Sequence, residues 1–186
     1  MRTRPFAVGA AAAAVLITSL VTGFVTPPAQ ALPPTTRTVK DAVEPDNSYD
    51  IVQVTARSAP KSTRPAVVVI THGRTVKFGD VVEVWFDFDG DKVPDLHVSG
   101  NAFSEFTVYE AKSFTADGKD ISRKDCARLA MAGKTSKVRL FPTCVDSPIS
   151  YSVAVKSYSD GEPASADDWA PGTEKFTKKV LAAPLT

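Results

Sequence analysis

Val82, Val84, Phe86 and Phe88 alternate with Glu83, Trp85 and Asp87, and this period of two constrains the fold more than any other feature of the chain. Successive side chains of a strand point to opposite faces, so the alternation puts four large apolar groups on one side. A helix would scatter them around its axis. The stretch reads as a strand with one core face, and Asp87 and Asp89 point away from that core. Val52, Val54 and Ala56 alternate with Gln53, Thr55 and Arg57 in the same way. Residues 66–71 are a β-branched run suited to a central strand, with residues 81–88 as the expected neighbour across a turn at 73–80. Leu96 with Val98, Phe106 with Val108, Val138 with Leu140, and Tyr151 with Val153 and Val155 mark further strands. Residues 122–133 are the one helix candidate. Ser122 with Asp125 three residues on resembles a capping box, Gly133 can terminate the turn, and Cys126, Leu129 and Ala130 would dock on a sheet. Seven or eight short strands with turn signals between them predict an all-β fold, a single antiparallel β-sandwich with one short helix. No internal repeat is visible, which counts against a propeller or solenoid.

The first 31 residues follow a different grammar. Arg2 and Arg4 precede an almost uncharged apolar run over residues 6–25, Pro27 and Pro28 break it, and Ala29-Gln30-Ala31 offers small residues at a cleavage site. Residues 1–31 are therefore expected to be a secretory signal peptide. The run approaches the roughly 20 residues that span a bilayer, so an uncleaved anchor is the rival reading; Ala-Gln-Ala favours cleavage. Residues 32–45, rich in Pro and Thr, are expected to be a flexible leader, and residues 46–186 the β-sandwich domain. After cleavage the expected product is secreted, free of the membrane and monomeric. Without Arg2 and Arg4 the 22 basic residues fall to 20 against 21 acidic ones, a net charge of about −1. Such a balance gives no electrostatic case for nucleic acid. The two cysteines, Cys126 and Cys144, both fall in the exported part, where an oxidising compartment favours a disulfide between them. Closing that loop would contribute roughly 3 kcal/mol in the chain-entropy picture.

Catalytic signatures are lacking. There is no Gly-x-Ser-x-Gly elbow, no His-Glu-x-x-His pair and no phosphate-cradling glycine loop. His72 and His97 each sit inside an expected strand and read as structural or surface residues, so the chain is not expected to be an enzyme. The acidic segment Asp87-Phe88-Asp89-Gly90-Asp91-Lys92-Val93-Pro94-Asp95 stands apart. Oxygen ligands at loop positions 1, 3, 5 and 9 are how a short loop wraps a hard cation such as Ca²⁺. An acidic turn with hydrated charges is the alternative, because Asp and Gly also favour tight turns.

With Trp85 and Phe86 before it and Leu96 after it, this segment resembles the loop of integrin-type propeller repeats, which read roughly Asp-Phe-Asp-Gly-Asp-Gly-x-Pro-Asp-Leu. The resemblance implies side-chain oxygens from Asp87, Asp89, Asp91 and Asp95 and a backbone carbonyl from Val93 around Ca²⁺. It covers about a dozen residues and departs at Lys92, where the repeats carry a second glycine that permits a sharp turn. A broader pattern runs from Asn47-Ser48-Tyr49-Asp50-Ile51 through Trp85-Phe86-Asp87-Phe88-Asp89 and Pro94-Asp95 to the late cysteine pair and Asp168-Trp169-Ala170-Pro171-Gly172. It resembles small secreted actinobacterial proteins of unassigned function, similar in pattern to carbohydrate-binding family 9 domains. That likeness implies the β-sandwich rather than an activity. Sugar modules stack exposed aromatic rings on sugar faces, which makes Trp85 and Trp169 the candidate ligand-binding residues. The resulting expectation is a secreted, non-enzymatic binding or structural module, stiffened by Ca²⁺, with an extracellular polysaccharide or protein as partner. A cell-wall carbohydrate binder is one alternative. A hydrolase built on His72 or His97, or an inhibitor with a rigid loop near Cys144, is another.

Overall fold

The structure is a computed structural model that describes residues 35–43, 49–59, 64–143, 145, 149–160 and 166–181. All of them belong to the unit Ala31–Thr186. The signal-peptide expectation for residues 1–31 lies outside the described residues. None of the described helices is long and apolar enough to cross a membrane.

The chain folds as the expected antiparallel β-sandwich, with more strands than the sequence suggests. Five strands, β1 (Thr36–Lys40), β2 (Ile51–Arg57), β3 (Ala66–His72), β8 (Ala127–Ala132) and β9 (Thr135–Leu140), form one sheet in the order β1-β2-β3-β9-β8. The other holds β4 (Asp80–Asp87), β5 (Leu96–Asn101), β6 (Phe106–Ala111), β7 (Asp117–Asp120), β10 (Ser152–Ser159) and β11 (Asp168–Ala170), ordered β11-β10-β4-β5-β6-β7. Val82, Val84 and Phe86 of β4, Val98 of β5, Val108 of β6 and Val153 and Val155 of β10 are fully buried. They meet Val54, Ala56, Val68, Ile70 and Val138 of the opposite sheet in one apolar core. Gly100 lets the sheets approach, since a Cβ there would lie 2.6 Å from the Leu129 side chain of β8. Tyr151 reaches across the core, and its hydroxyl donates to the Arg57 carbonyl at 2.9 Å. That contact satisfies the hydroxyl of a side chain that is otherwise wholly buried.

Four sequence expectations are corrected. The helix at 122–133 is only a single 3₁₀ turn, Ser122–Lys124, without a side-chain cap. Asp125 leaves that turn in the left-handed region (φ 52°), and β8 follows at once. Ala127, Leu129 and Met131 keep the inward face of β8 at period two, and Gly133 (φ 58°) with Lys134 makes a two-residue hairpin to β9. Hairpin pairing with β9, which is itself held by the distant strand β3, overrode a local pattern that suited either element. Second, part of the expected leader, Thr36–Lys40, is the edge strand β1, paired along its length with β2. Its Thr-Arg-Thr-Val-Lys alternation suits an edge, where charged side chains face water. Third, a bulge between Ile51 and Gln53 shifts the register, so Ile51 rather than Val52 joins Val54 on the core face. Fourth, β3 does not pair with β4: its neighbours are β2 and β9, and the 73–79 connection crosses between the sheets.

The crossing is locked at Asp80, the first residue of β4. Both Asp80 oxygens accept from the Arg74 guanidinium at 2.7 Å, and the Lys77 N–H donates at 2.6 Å. Burial favours the neutral acid, but these donors outweigh it and hold the Asp80 carboxyl below the usual range.

Candidate functional site

Strand β4 also delivers the outward residues Glu83, Trp85 and Asp87, and the acidic loop begins where it ends. Asp87 is buried (2% exposed), although Asp89, Gly90, Asp91, Lys92 and Val93 are open to solvent. Each loop carboxylate uses one oxygen to accept a backbone N–H. Asp87 takes Gly90 (2.6 Å), Asp89 takes Asp91 (3.0 Å), Asp91 takes Val93 (2.7 Å) and Asp95 takes Phe88 (2.7 Å). These contacts wind the loop and leave one oxygen of each aspartate without a hydrogen bond among the described residues. Asp87, Asp89 and Asp95 bring ligand atoms within 4.8 Å of one another. Asp91 stands outside that trio, and Val93 is exposed.

Lys92 adopts φ 71°, the left-handed conformation a glycine would take at that position. The departure from the repeat pattern therefore changes the side chain and strains the backbone without changing the direction of the turn. Among the described residues no Lys or Arg forms an ion pair with the four loop aspartates. The nearby Lys179 ammonium donates instead to the Phe88 carbonyl at 2.7 Å. Burial and then the Asp89, Asp87 and Asp91 charges raise the Asp95 carboxyl above its ordinary value, against the lowering effect of the Phe88 N–H. The loop is short of positive charge.

A cleft of ≈ 480 Å³ opens beside it. Asp87 and Gly90 form one wall, and Lys175, Phe176 and Lys179 of the C-terminal segment form another. That segment is held to the start of β10: Thr177 N–H donates to the Val153 carbonyl (2.9 Å), and Tyr151 and Val180 exchange backbone bonds. Ser152, the cross-strand partner of Asp87, also lines the cleft.

The outer face of the six-stranded sheet carries an aromatic cluster. Trp85 stacks on its cross-strand neighbour His97 (4.6 Å, 3°) and on Trp169 (5.2 Å, 15°), with Phe114 at its edge (5.4 Å). Phe114 in turn touches Phe176 at 5.2 Å, so the cluster reaches the cleft. Trp85, a candidate ligand-binding residue from the sequence, is only 2% exposed and packs within this cluster rather than offering its ring to a sugar. Small Ala154 beside it on β10 leaves room for Trp169. Trp169 is half-buried with the Lys156 ammonium 5.8 Å from its ring centre. Burial opposes the Lys156 charge, but Glu83 (3.0 Å) and Asp167 (3.3 Å) outweigh it and raise its pKa.

The two histidines are placed differently. His97 contacts Asp117 through Nδ1 at 2.8 Å and faces Glu83 at 3.9 Å. His72 ends β3 inside the sandwich, stacked on Tyr49 (4.0 Å, 12°), with Nε2 3.0 Å from the Ser136 hydroxyl. Burial lowers its pKa to about 4, and the influence of the Asp50 backbone opposes that only in part. Burial likewise pushes the Tyr49 phenol up to about 12. Ser136 is wholly buried, so this Ser–His pair is shut away from solvent. Neither histidine lines the cleft. Cys126 is buried and not a free thiol; its expected partner Cys144 lies outside the described residues.

The loop aspartates and Trp85 were legible from the sequence. Ser152, Lys175, Phe176 and Lys179 were not, because only the antiparallel docking of the C-terminal segment brings them to the loop. The short basic run Lys175-Phe176-Thr177-Lys178-Lys179, with one aromatic in it, was the one available signal. No family model matches the chain, and no curated protein matches it significantly.

Proposed function

We propose that this protein is a secreted, non-enzymatic binding module whose 87–95 loop takes a Ca²⁺ ion and whose adjacent cleft holds the ligand. The observation that carries the reading is the convergence of Asp87, Asp89 and Asp95 beside a cleft that Asp87 lines, with no basic side chain paired to them among the described residues. Three carboxylates this close repel one another, and a hard cation with oxygen preference is the ion that relieves them. The free oxygens of the trio, with water, would hold it. Bound there, the ion ties the end of β4 to the start of β5 and fixes one wall of the cleft.

Isothermal calorimetry with CaCl₂ tests the reading. Extracellular sites of this kind need an affinity of only about 10⁻⁴ to 10⁻³ M, and a 1:1 isotherm in that range is expected. Asp89→Ala should abolish it while leaving the fold intact, because Asp89 is exposed. The absence of any calcium heat in the wild type, with no Ca²⁺-dependent stabilisation, would sink the metal reading.

A further inference from the structure

We propose that the cleft between the acidic loop and the C-terminal segment binds an acidic sugar, a ring carrying a carboxylate. The proposal rests on the binding-module reading and names the ligand class of its cleft. Its volume, ≈ 480 Å³, falls within the roughly 300–1,000 Å³ of small-molecule sites.

Two observations point to a ligand. The first is unused hydrogen-bonding capacity at the base of the cleft. Ser152 is 6% exposed and its hydroxyl has no partner among the described residues; across the strand pair, Asp87 is 2% exposed and uses only Oδ1. Buried polar groups are ordinarily satisfied, and a pair left open in the wall of a cavity is suited to hydroxyl groups arriving from outside. The second is charge. Lys92, Lys175 and Lys179 face the cleft against the carboxylates of Asp87 and Glu174, so its lining is cationic even without a metal ion. Lys92 and Lys175 form no ion pair among the described residues, and Lys179 uses one of its three protons on Phe88.

Phe176 supplies the remaining element. It is half-buried against Phe114 and lines the same cleft, offering an apolar surface for the C–H face of a ring. A site combining one aromatic wall, a hydroxyl, a hydrogen-bonding carboxylate and several ammonium groups suits a sugar carboxylate. A bare inorganic anion would leave Phe176, Ser152 and Asp87 without a role. Both chain segments that shape the cleft hold a non-glycine residue in the left-handed region, Lys92 at φ 71° and Glu174 at φ 53°. Backbone strain of this sort clusters where geometry serves binding.

Methyl β-D-glucuronide and methyl β-D-glucoside, which differ at one carboxylate, make the test. Each is titrated into the protein by NMR, in EDTA and again in 10 mM CaCl₂. Saturable glucuronide binding at least about tenfold tighter than glucoside binding is expected. Lys175→Glu, an exposed change, should weaken the glucuronide about tenfold without moving the melting temperature. Ser152→Ala should weaken both sugars. Equal binding of the two, no binding of either, or an unchanged affinity in Lys175→Glu overturns the proposal. If Ca²⁺ binds and the glucuronide does not, this inference alone falls. If the glucuronide binds and Ca²⁺ does not, the metal reading falls and the cleft stands.

Discussion

Strand β4 begins and ends on a buried aspartate, and the two ends are completed differently. Asp80 is wholly buried and meets a bidentate guanidinium, a backbone N–H and a lowered pKa. Asp87, at the other end, is 2% exposed and sits in a trio of carboxylates with no ion pair among the described residues. One end is a finished lock that holds the crossing between sheets. The other gathers carboxylates that no Lys or Arg pairs with among the described residues, and burial first, then the neighbouring carboxylates, raises the Asp95 pKa. The contrast separates a carboxylate that is paired within the fold from carboxylates that the proposal assigns to a cation.

The largest loss is expected at the locked end. Arg74→Met should cost roughly 3 kcal/mol, because it strands the buried Asp80 charge; Arg74 keeps some solvent contact, which holds the figure near the low end for such pairs. Urea denaturation measures it, and a loss below about 1 kcal/mol would mean that the lock contributes little. His72, at the same end, makes that region sensitive to acid. Its pKa is about 4 in the folded chain against 6.5 for the free side chain, so the unfolded state binds the proton first. Stability should be fully present above pH 6.5 and fall as pH drops from there towards 4, by at most roughly 3 kcal/mol. A pH series of urea midpoints shows this slope, and His72→Gln should flatten it whatever its own cost.

The open end responds more weakly. Lys92→Gly should stabilise by about 0.5–1 kcal/mol, since glycine takes φ 71° without strain. Thermal melting would read the gain, and a loss instead would show that the Lys92 side chain supports the loop. Asp89→Asn, which retains the oxygen that accepts the Asp91 N–H, should raise stability in EDTA by less than about 1 kcal/mol, because the loop is solvent-exposed. The same change should forfeit the calcium response. Destabilisation in EDTA would contradict the charge deficit.

The sequence made one strand and its loop legible because both were local. Val82, Val84 and Phe86 declare their face through alternation, and the aspartates of the loop are neighbours along the chain. What stayed hidden depended on contacts distant in sequence. Nothing in residues 66–72 says that β3 pairs with β9 rather than β4, because a continuous apolar run fits either neighbour. Residues 127–132 alternate at period two while also carrying Ala and Leu, good helix formers, and only pairing with β9 decides between the two readings. Trp85 could be assigned to the outer face from its position, but its cover of Trp169 and Phe114 comes from a late edge strand and a loop. The cleft was invisible for the same reason: Ser152, Phe176 and Lys179 meet Asp87 and Gly90 through a backbone pairing that no local pattern announces.

The most direct test of the unfinished end is the melting temperature of the wild-type protein in EDTA and in 10 mM CaCl₂. With an affinity of about 10⁻⁴ to 10⁻³ M, linkage gives about 1.4–2.7 kcal/mol of stabilisation at that concentration, a rise of roughly 3–8 °C for a domain of this size. MgCl₂ at the same concentration should do much less, since Mg²⁺ demands a tighter octahedral site. A rise of that size with calcium alone is the predicted result. Identical melting curves in EDTA and calcium would contradict the account, leaving the three aspartates as an acidic turn and nothing more.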